Sequence, residues 1–297
     1  MKNPLLLAVA LALVLLSGCG AAGSELGSAT LSQDLWSTSD VSAPTEEKFT
    51  FVLEMETREN SARAEDGTLL VKYRYDVPVL RVHTADGTEI ETAASPAQEK
   101  ALAVAQAFNA NFADWGESQK DIQFAQEDYA FNPEIFQSGI CYDSELTYTA
   151  YQTEHLISIR ANYYAYTGGA HGNTSLLAWN FDLDSGQFVT AADLSDDPAA
   201  FSAAVTDALL AQMKEKAADA GMAIDEYFLA DGEETVAQWT SYAVSFDENG
   251  MTVGFSPYEL ACYAAGSQAF SLNDKFLIPY LSDYGKQLLG LAGEADS

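Results

Sequence analysis

The stretch from His155 to Asp184, HLISIRANYYAYTGGAHGNTSLLAWNFDLD, most restricts what this chain can fold into. From Ile157 every second residue is apolar or aromatic (Ile157, Ile159, Ala161, Tyr163, Ala165), while Ser158, Arg160 and Asn162 take the other side. After a Gly-rich turn the alternation resumes in Leu177, Trp179, Phe181 and Leu183. A period of two predicts two strands with one face on a core and the other in water. Gly168, Gly169 and Gly172 lie between them and tolerate the positive φ values that other residues resist. Asp184-Ser185-Gly186 then predicts a second reversal, into a short strand around Phe188 and Val189.

The same grammar extends outward. Phe49, Phe51, Leu53 and Met55 mark a first strand, and Asp66-Gly67 a turn. Leu69 to Val77 marks a second strand, with Pro78 placing its end at an edge or bulge. Ser95-Pro96-Ala97-Gln98 has the spacing of a helix start. Ala101, Ala105, Phe108, Phe112 and Trp115 form its buried stripe, and Gly116 is expected to end it. Residues 117–140 read as irregular, before a strand through Leu146, Tyr148 and Ala150. Asp197-Pro198 opens a second helix with Phe201, Val205, Leu209 and Met213 on one face. Ser241 to Phe255 predicts a hairpin with Asn249-Gly250 as its two-residue loop, which sets Phe246 opposite Val253 and Val244 opposite Phe255. A last strand near Phe270 and Leu272 precedes a short helix after Pro279. Blocks of strands and helices joined by tight turns predict an α+β fold with antiparallel sheets, helices on one face, and two sequential subdomains.

The first eighteen residues read as an export signal rather than as part of the fold. Lys2 precedes a Leu/Ala run from Leu5 to Leu16, short for a membrane span, that ends in Leu16-Ser17-Gly18-Cys19. That ending resembles a bacterial lipoprotein cleavage site, so Cys19 is the expected lipidation point. Residues 19–45 are the expected flexible tether, and the protein is expected outside the cytoplasm, touching membrane only through its lipid. Fourteen basic against 44 acidic side chains leave a net charge of −30. That surplus argues against nucleic acid, whose binding needs Lys and Arg to displace counterions. It favours a basic partner instead. Cys141 and Cys262 remain as a candidate disulfide in an oxidising compartment, with two buried thiols as the alternative.

Three segments together carry a family resemblance. They are Tyr164-Ala165-Tyr166-Thr167-Gly168-Gly169-Ala170-His171, then Asn180 to Gly186 with Asp193-Leu194, and finally Ser256-Pro257-Tyr258-Glu259-Leu260 through Tyr263-Ala264-Ala265-Gly266. The combination resembles the RsiV-like exported proteins, which pair domains of unknown function 4163 and 3298. The resemblance implies a 4163-type α+β domain over 46–185 and a 3298-type α+β domain over 186–291. In that family the pair forms the outer part of an anti-sigma factor that senses host-type lysozyme, and related domains accompany some peptidoglycan deacetylases. A lipoprotein signal in place of a cytoplasmic segment and membrane helix leads us to expect no direct sigma-factor control here.

Candidate contact residues follow from these segments: Tyr166, Gly168, Gly169, His171, Asn173, Pro257, Tyr258 and Tyr263. His171 is the obvious candidate for chemistry. Only His83 and His155 stand available to join it, without metal-ligand spacing, and a structural turn role is the plainer reading. Asp182, Asp184, Asp193, Asp196 and Asp197 lack the spacing of a calcium loop and suit turns and helix caps. Neither a catalytic set, a metal nor a cofactor is expected. The reading is a surface-anchored, non-catalytic binding or sensing module for an extracellular protein, such as a cationic lysozyme. An accessory module for cell-wall glycan is the alternative, and a hydrolase using His171 comes third.

Overall fold

The computed structural model describes residues 47–115 and 119–292. The export signal, Cys19, the tether and the expected helix end at Gly116 lie outside these residues. Strand β1 (Phe49–Arg63) and β2 (Leu69–Thr84) form a long antiparallel hairpin. Helices α1 (Pro96–Phe112), α2 (Gln119–Phe131) and α3 (Pro133–Gln137) then lead to β3 (Tyr142–Gln152), β4 (Leu156–Tyr166), β5 (Asn173–Asp182) and β6 (Gln187–Val189). These six strands make one sheet in sequence order. The chain continues through α4 (Pro198–Asp219), α5 (Ile224–Tyr227) and α6 (Gly232–Ala237). A second sheet holds β7 (Ala243–Asp247), β8 (Gly250–Phe255) and β9 (Gln268–Asn273), followed by α7 (Asp274–Leu277) and α8 (Asp283–Leu288).

The fold is α+β, with one departure from the expected antiparallel pairing. Strands β2 and β3 run parallel, Val71 opposite Tyr142 through Tyr75 opposite Leu146. A parallel pair needs a long crossover, which α1 to α3 supply. This corrects the irregular reading of 117–140. Helix α2 was hard to see because its apolar residues do not form one stripe: Ala125 is buried, while Phe124 and Phe131 are exposed.

Pro78 does not end its strand; it pairs with Met55 inside β2. Past Tyr75, however, β2 has β1 on one side only, because its pairing with β3 has stopped. Proline is tolerated on such a free edge. Two residues on, Asn109 of α1 covers that edge: its Oδ1 accepts from Leu80 N (2.7 Å) and its Nδ2 donates to Leu80 O (2.9 Å). The start of α1 follows its sequence signature. Ser95 Oγ accepts from Gln98 N at 3.2 Å, and Gln98 Oε1 accepts from Ala94 N at 2.7 Å. Just past its other end, Arg58 of β1 donates to the carbonyls of Ala113 and Trp115 (3.0 and 2.7 Å).

Two apolar cores lie on opposite sides of the large sheet. One joins Phe108 and Phe112 of α1 to Ile157, Ile159 and Phe181. Phe108 meets Phe181 edge-on at 5.2 Å, and Phe112 meets Trp179 likewise at 5.4 Å. The other joins Leu156 to Phe201, Val205, Leu209 and Met213 of α4 and to Val244, Phe246, Val253 and Phe270 of the small sheet. Both belong to one contact unit, Glu46–Ser297, in which residues 183–186 form the turn between paired strands β5 and β6.

The second core corrects the assumption that the Ser158 face of the hairpin meets water. Ser158 is 1% exposed, because β7 packs over it. Its Oγ accepts from Phe246 N (2.7 Å) and donates to Asn180 Oδ1 (2.7 Å), while Asn180 Nδ2 donates to Val244 O (3.0 Å). The β7–β8 register also differs from expectation. Val244 faces Val253, Phe246 faces Met251, and Asp247 faces Gly250, so Glu248-Asn249 is the loop. Gly250, at φ 130°, is needed for the neighbouring strand, since a Cβ there would lie 2.2 Å from Leu272 O. The shift is two residues, so the inward-facing set is preserved.

Two outcomes are expected. Ser158→Ala strands a buried N–H and a buried amide oxygen, and chemical denaturation should show a loss on the order of 2–4 kcal/mol. At the β1–β2 turn, the Tyr129 hydroxyl and the Thr68 N–H hold the Asp66 carboxyl at about 2, below its ordinary 3.8. Stability from this tie is complete above 3.8 and fades as pH falls toward 2. An NMR titration should place the Asp66 midpoint near 2, and Tyr129→Phe should move it up toward 3.8.

Candidate functional site

Strands β4 and β5 run in register from Leu156–Asp182 to Ala165–Asn173 and present the Thr167–Gly172 turn at one end of the large sheet. Gly168 and Gly169 adopt φ of 95° and 89°, which Cβ-bearing residues adopt only under strain. Tyr166, the last residue of β4, donates its hydroxyl to Gly169 O at 3.1 Å and braces the turn from within. Asn173 opens β5 and is exposed.

The segment from Ser256 to Gly266 reaches this turn from the small sheet. Tyr263 donates its hydroxyl to Gly172 O at 2.9 Å. His171 lies against the Tyr263 ring, with centroids 3.8 Å apart and planes 20° apart. Tyr258 stacks on Tyr263 in turn, at 5.6 Å and 29°. The result is a row, His171–Tyr263–Tyr258, in which Tyr258 is 56% exposed. His171 Nδ1 lies 2.9 Å from Gly172 O; a carbonyl only accepts, so Nδ1 carries the hydrogen.

Among the described residues Tyr258 alone combines a side chain with positive φ, at 71°. Its surroundings hold it there. Tyr258 N donates to Ala261 O (3.0 Å), and Glu259 N donates to Ser256 O (3.1 Å). Glu259 Oε2 accepts from Ser256 N at 2.5 Å. Ser256 Oγ accepts from Leu176 N of β5 at 3.1 Å, clamping the loop onto the hairpin. Ser256 and Glu259 were missed as positioning residues, although Ser-Pro-Tyr-Glu has the Ser-x-x-Glu spacing of a reciprocal cap. Pro257 is buried, so it supports the row and does not offer a contact surface.

The other candidates do not gather here. His155 Nδ1 sits 2.8 Å from Asp184 Oδ2 at the opposite end of the hairpin, and His83 Nδ1 donates to Gly87 O at 3.0 Å. Asp182 accepts from the N–H groups of Asp184 and Ser185 and from the hydroxyls of Ser185 and Tyr284. Burial alone would raise its carboxyl; these bonds outweigh that and hold it below the ordinary range. Asp193 caps Thr190, and Asp197 caps α4 through Ala200 N. No group of three or more His, Cys, Asp or Glu among the described residues is arranged to hold a metal ion. The disulfide expected between Cys141 and Cys262 is not formed: both thiols are free. They stand on separate elements, Cys141 half-buried just before β3, and Cys262 exposed beside Tyr263. Burial pushes the Cys141 thiol up from its ordinary value.

Comparison with known proteins fits this architecture. Residues 70–174, from β2 into β5, match the family model described as Deacetylase PdaC. The fold is similar to a member of the DUF3298 family from Bacteroides fragilis, at 14% identity and a TM-score of 0.55, covering 84% of this chain and 100% of that one. A DUF3298 family protein from Pseudomonas aeruginosa matches at 16% identity and a TM-score of 0.45, over 80% of this chain and 96% of that one. A comparison with curated proteins gives no match. The chain thus combines a PdaC-type segment with a DUF3298-like fold, consistent with the RsiV-like exported proteins that its motifs resemble.

Strain at Tyr258 is directly testable. Glycine in place of alanine usually costs stability, but only glycine accepts φ 71° freely. Tyr258→Gly should therefore be more stable than Tyr258→Ala, by about 1 kcal/mol in chemical denaturation.

Proposed function

We propose that this chain is a lipid-anchored, extracytoplasmic binding module that captures a cationic wall-lytic protein such as lysozyme and performs no chemistry on it. The observation that carries this reading is the meeting of two separate segments in one aromatic row, with Tyr258 held outward in a strained conformation. Rigid rings supply contact area at little entropic cost and recur as anchors in protein interfaces. A net charge of −30 draws a basic partner toward them. His171 has its Nδ1 committed to a backbone carbonyl, and its ring lies flat on Tyr263, an arrangement suited to contact more than to proton transfer.

One observation favours a second reading, glycan binding. The three rings stack with planes 20° and 29° apart, and exposed Tyr258 ends the row as a ring on which a sugar face can stack. The matched family model is also named for a deacetylase.

Calorimetric titration with lysozyme at low and raised salt tests the first reading. Saturable binding that weakens with salt is expected, and Tyr258→Ala should lower affinity at least about tenfold. No heat at micromolar concentrations would sink it. Retention on purified peptidoglycan, lost in Tyr258→Ala, would select the second.

A further inference from the structure

Exposed apolar surface is concentrated away from the aromatic row. Of nine large apolar side chains left exposed among the described residues, four lie between positions 124 and 140: Phe124, Phe131, Ile135 and Ile140. Phe131 is 83% exposed and Phe124 56%. Helix α2 turns Ile122, Ala125 and Tyr129 toward the first core. Phe124 and Phe131 are two turns apart and stand together on its outer side. Beyond them a groove of about 370 Å³ opens between α3 and the glycine turn, lined by Ile135, Phe136, Ile140, Tyr142 and Gly168, with Asp128 at its rim.

Among the described residues, the acids on this face lack cationic partners. From Ile122 to Tyr142 the sequence contains no Lys, Arg or His. The ion pairs among the described residues engage none of Glu127, Asp128 and Glu134. Asp128 accepts instead from the Tyr142 hydroxyl. An apolar stripe and groove edged by uncompensated carboxylates match the face of a helix that alternates apolar and basic side chains.

We propose that the outer face of α2–α3 and the groove beside the glycine turn form a docking site for a basic amphipathic helix of a partner. Apolar side chains of that helix enter the groove and cover Phe124 and Phe131, while its Lys or Arg residues meet Glu127, Asp128 and Glu134. Charge selects this occupant over the others. An anionic membrane surface meets carboxylates of its own sign. A second copy brings the same acids and another −30. The chain's own residues 19–47 contribute Glu25, Asp34, Asp40, Glu46 and Glu47 without a single Lys or Arg. The proposal concerns a surface outside the aromatic row and stands whether or not that row binds lysozyme.

The test uses the whole exported chain and a synthetic Leu/Lys amphipathic peptide, with a Leu/Glu peptide of equal length as control. Fluorescence anisotropy should show saturable binding of the basic peptide and none of the acidic one. Phe131→Ser and Glu134→Gln alter exposed positions without disturbing either core, and each should weaken binding, Phe131→Ser by about tenfold or more. Tyr258→Ala should leave peptide affinity unchanged. Equal affinity in Phe131→Ser, or a loss in Tyr258→Ala, would overturn the assignment. Dimerisation abolished by Phe131→Ser, or vesicle binding abolished by it, would overturn it in favour of a second copy or a membrane.

Discussion

The architecture depends on how two sheets meet through polar groups. Ser158 and Asn180 stand opposite each other on β4 and β5, and together they bind the backbone of β7 at Phe246 and Val244. A sheet face usually joins another through interdigitated apolar side chains. Here the contact centre is a closed hydrogen-bond network, satisfied on both sides and almost fully buried. Such a network fixes position more sharply than apolar packing does, because a shifted strand leaves donors without acceptors. The small sheet is therefore held in one register against the large one. The loop that follows β8 is delivered to the glycine turn as a result.

That delivery explains why the aromatic row needs two parts of the chain. The hairpin supplies His171 and Gly172 O; the loop supplies Tyr263 and Tyr258. Neither segment forms the row alone. Ser256 sets the approach by accepting from β5, and Glu259 ties the loop to itself. The glycine turn consequently has rings against its Gly172 end and an apolar groove beside Gly168 and Gly169.

Much of the fold was legible because its signals are local. The β4–β5 hairpin, the Ser95 cap and the Asp197 start of α4 each follow from a few neighbouring residues. What the chain hid depends on distant partners. Ser158 reads as a solvent-facing serine until β7 covers it. Gly250 reads as a turn residue, yet its lack of a Cβ serves the backbone of β9. Pro78 reads as a strand end at an edge or bulge; the edge is there, but the strand runs on through Pro78, which only its pairing with Met55 reveals. The site residues His171, Tyr258 and Tyr263 stood out through composition and resemblance, whereas their stacking order was not readable. Pro257, equally prominent in sequence, is buried. The Cys141–Cys262 pairing failed because compartment and cysteine number say nothing of where two thiols lie.

The parallel join between β2 and β3 shapes the order in which the molecule assembles. Strands β1 and β2 are adjacent in sequence and can zip together as soon as both have emerged. Val71–Tyr75 gains its second neighbour only when Tyr142–Leu146 arrives, after the entire helical crossover. Nonlocal pairing of this kind raises the contact order and slows the search. Until then the young hairpin shows a bare flank to its surroundings, and the charged side chains along it, Lys72 and Arg74, are what discourage a second copy from pairing there.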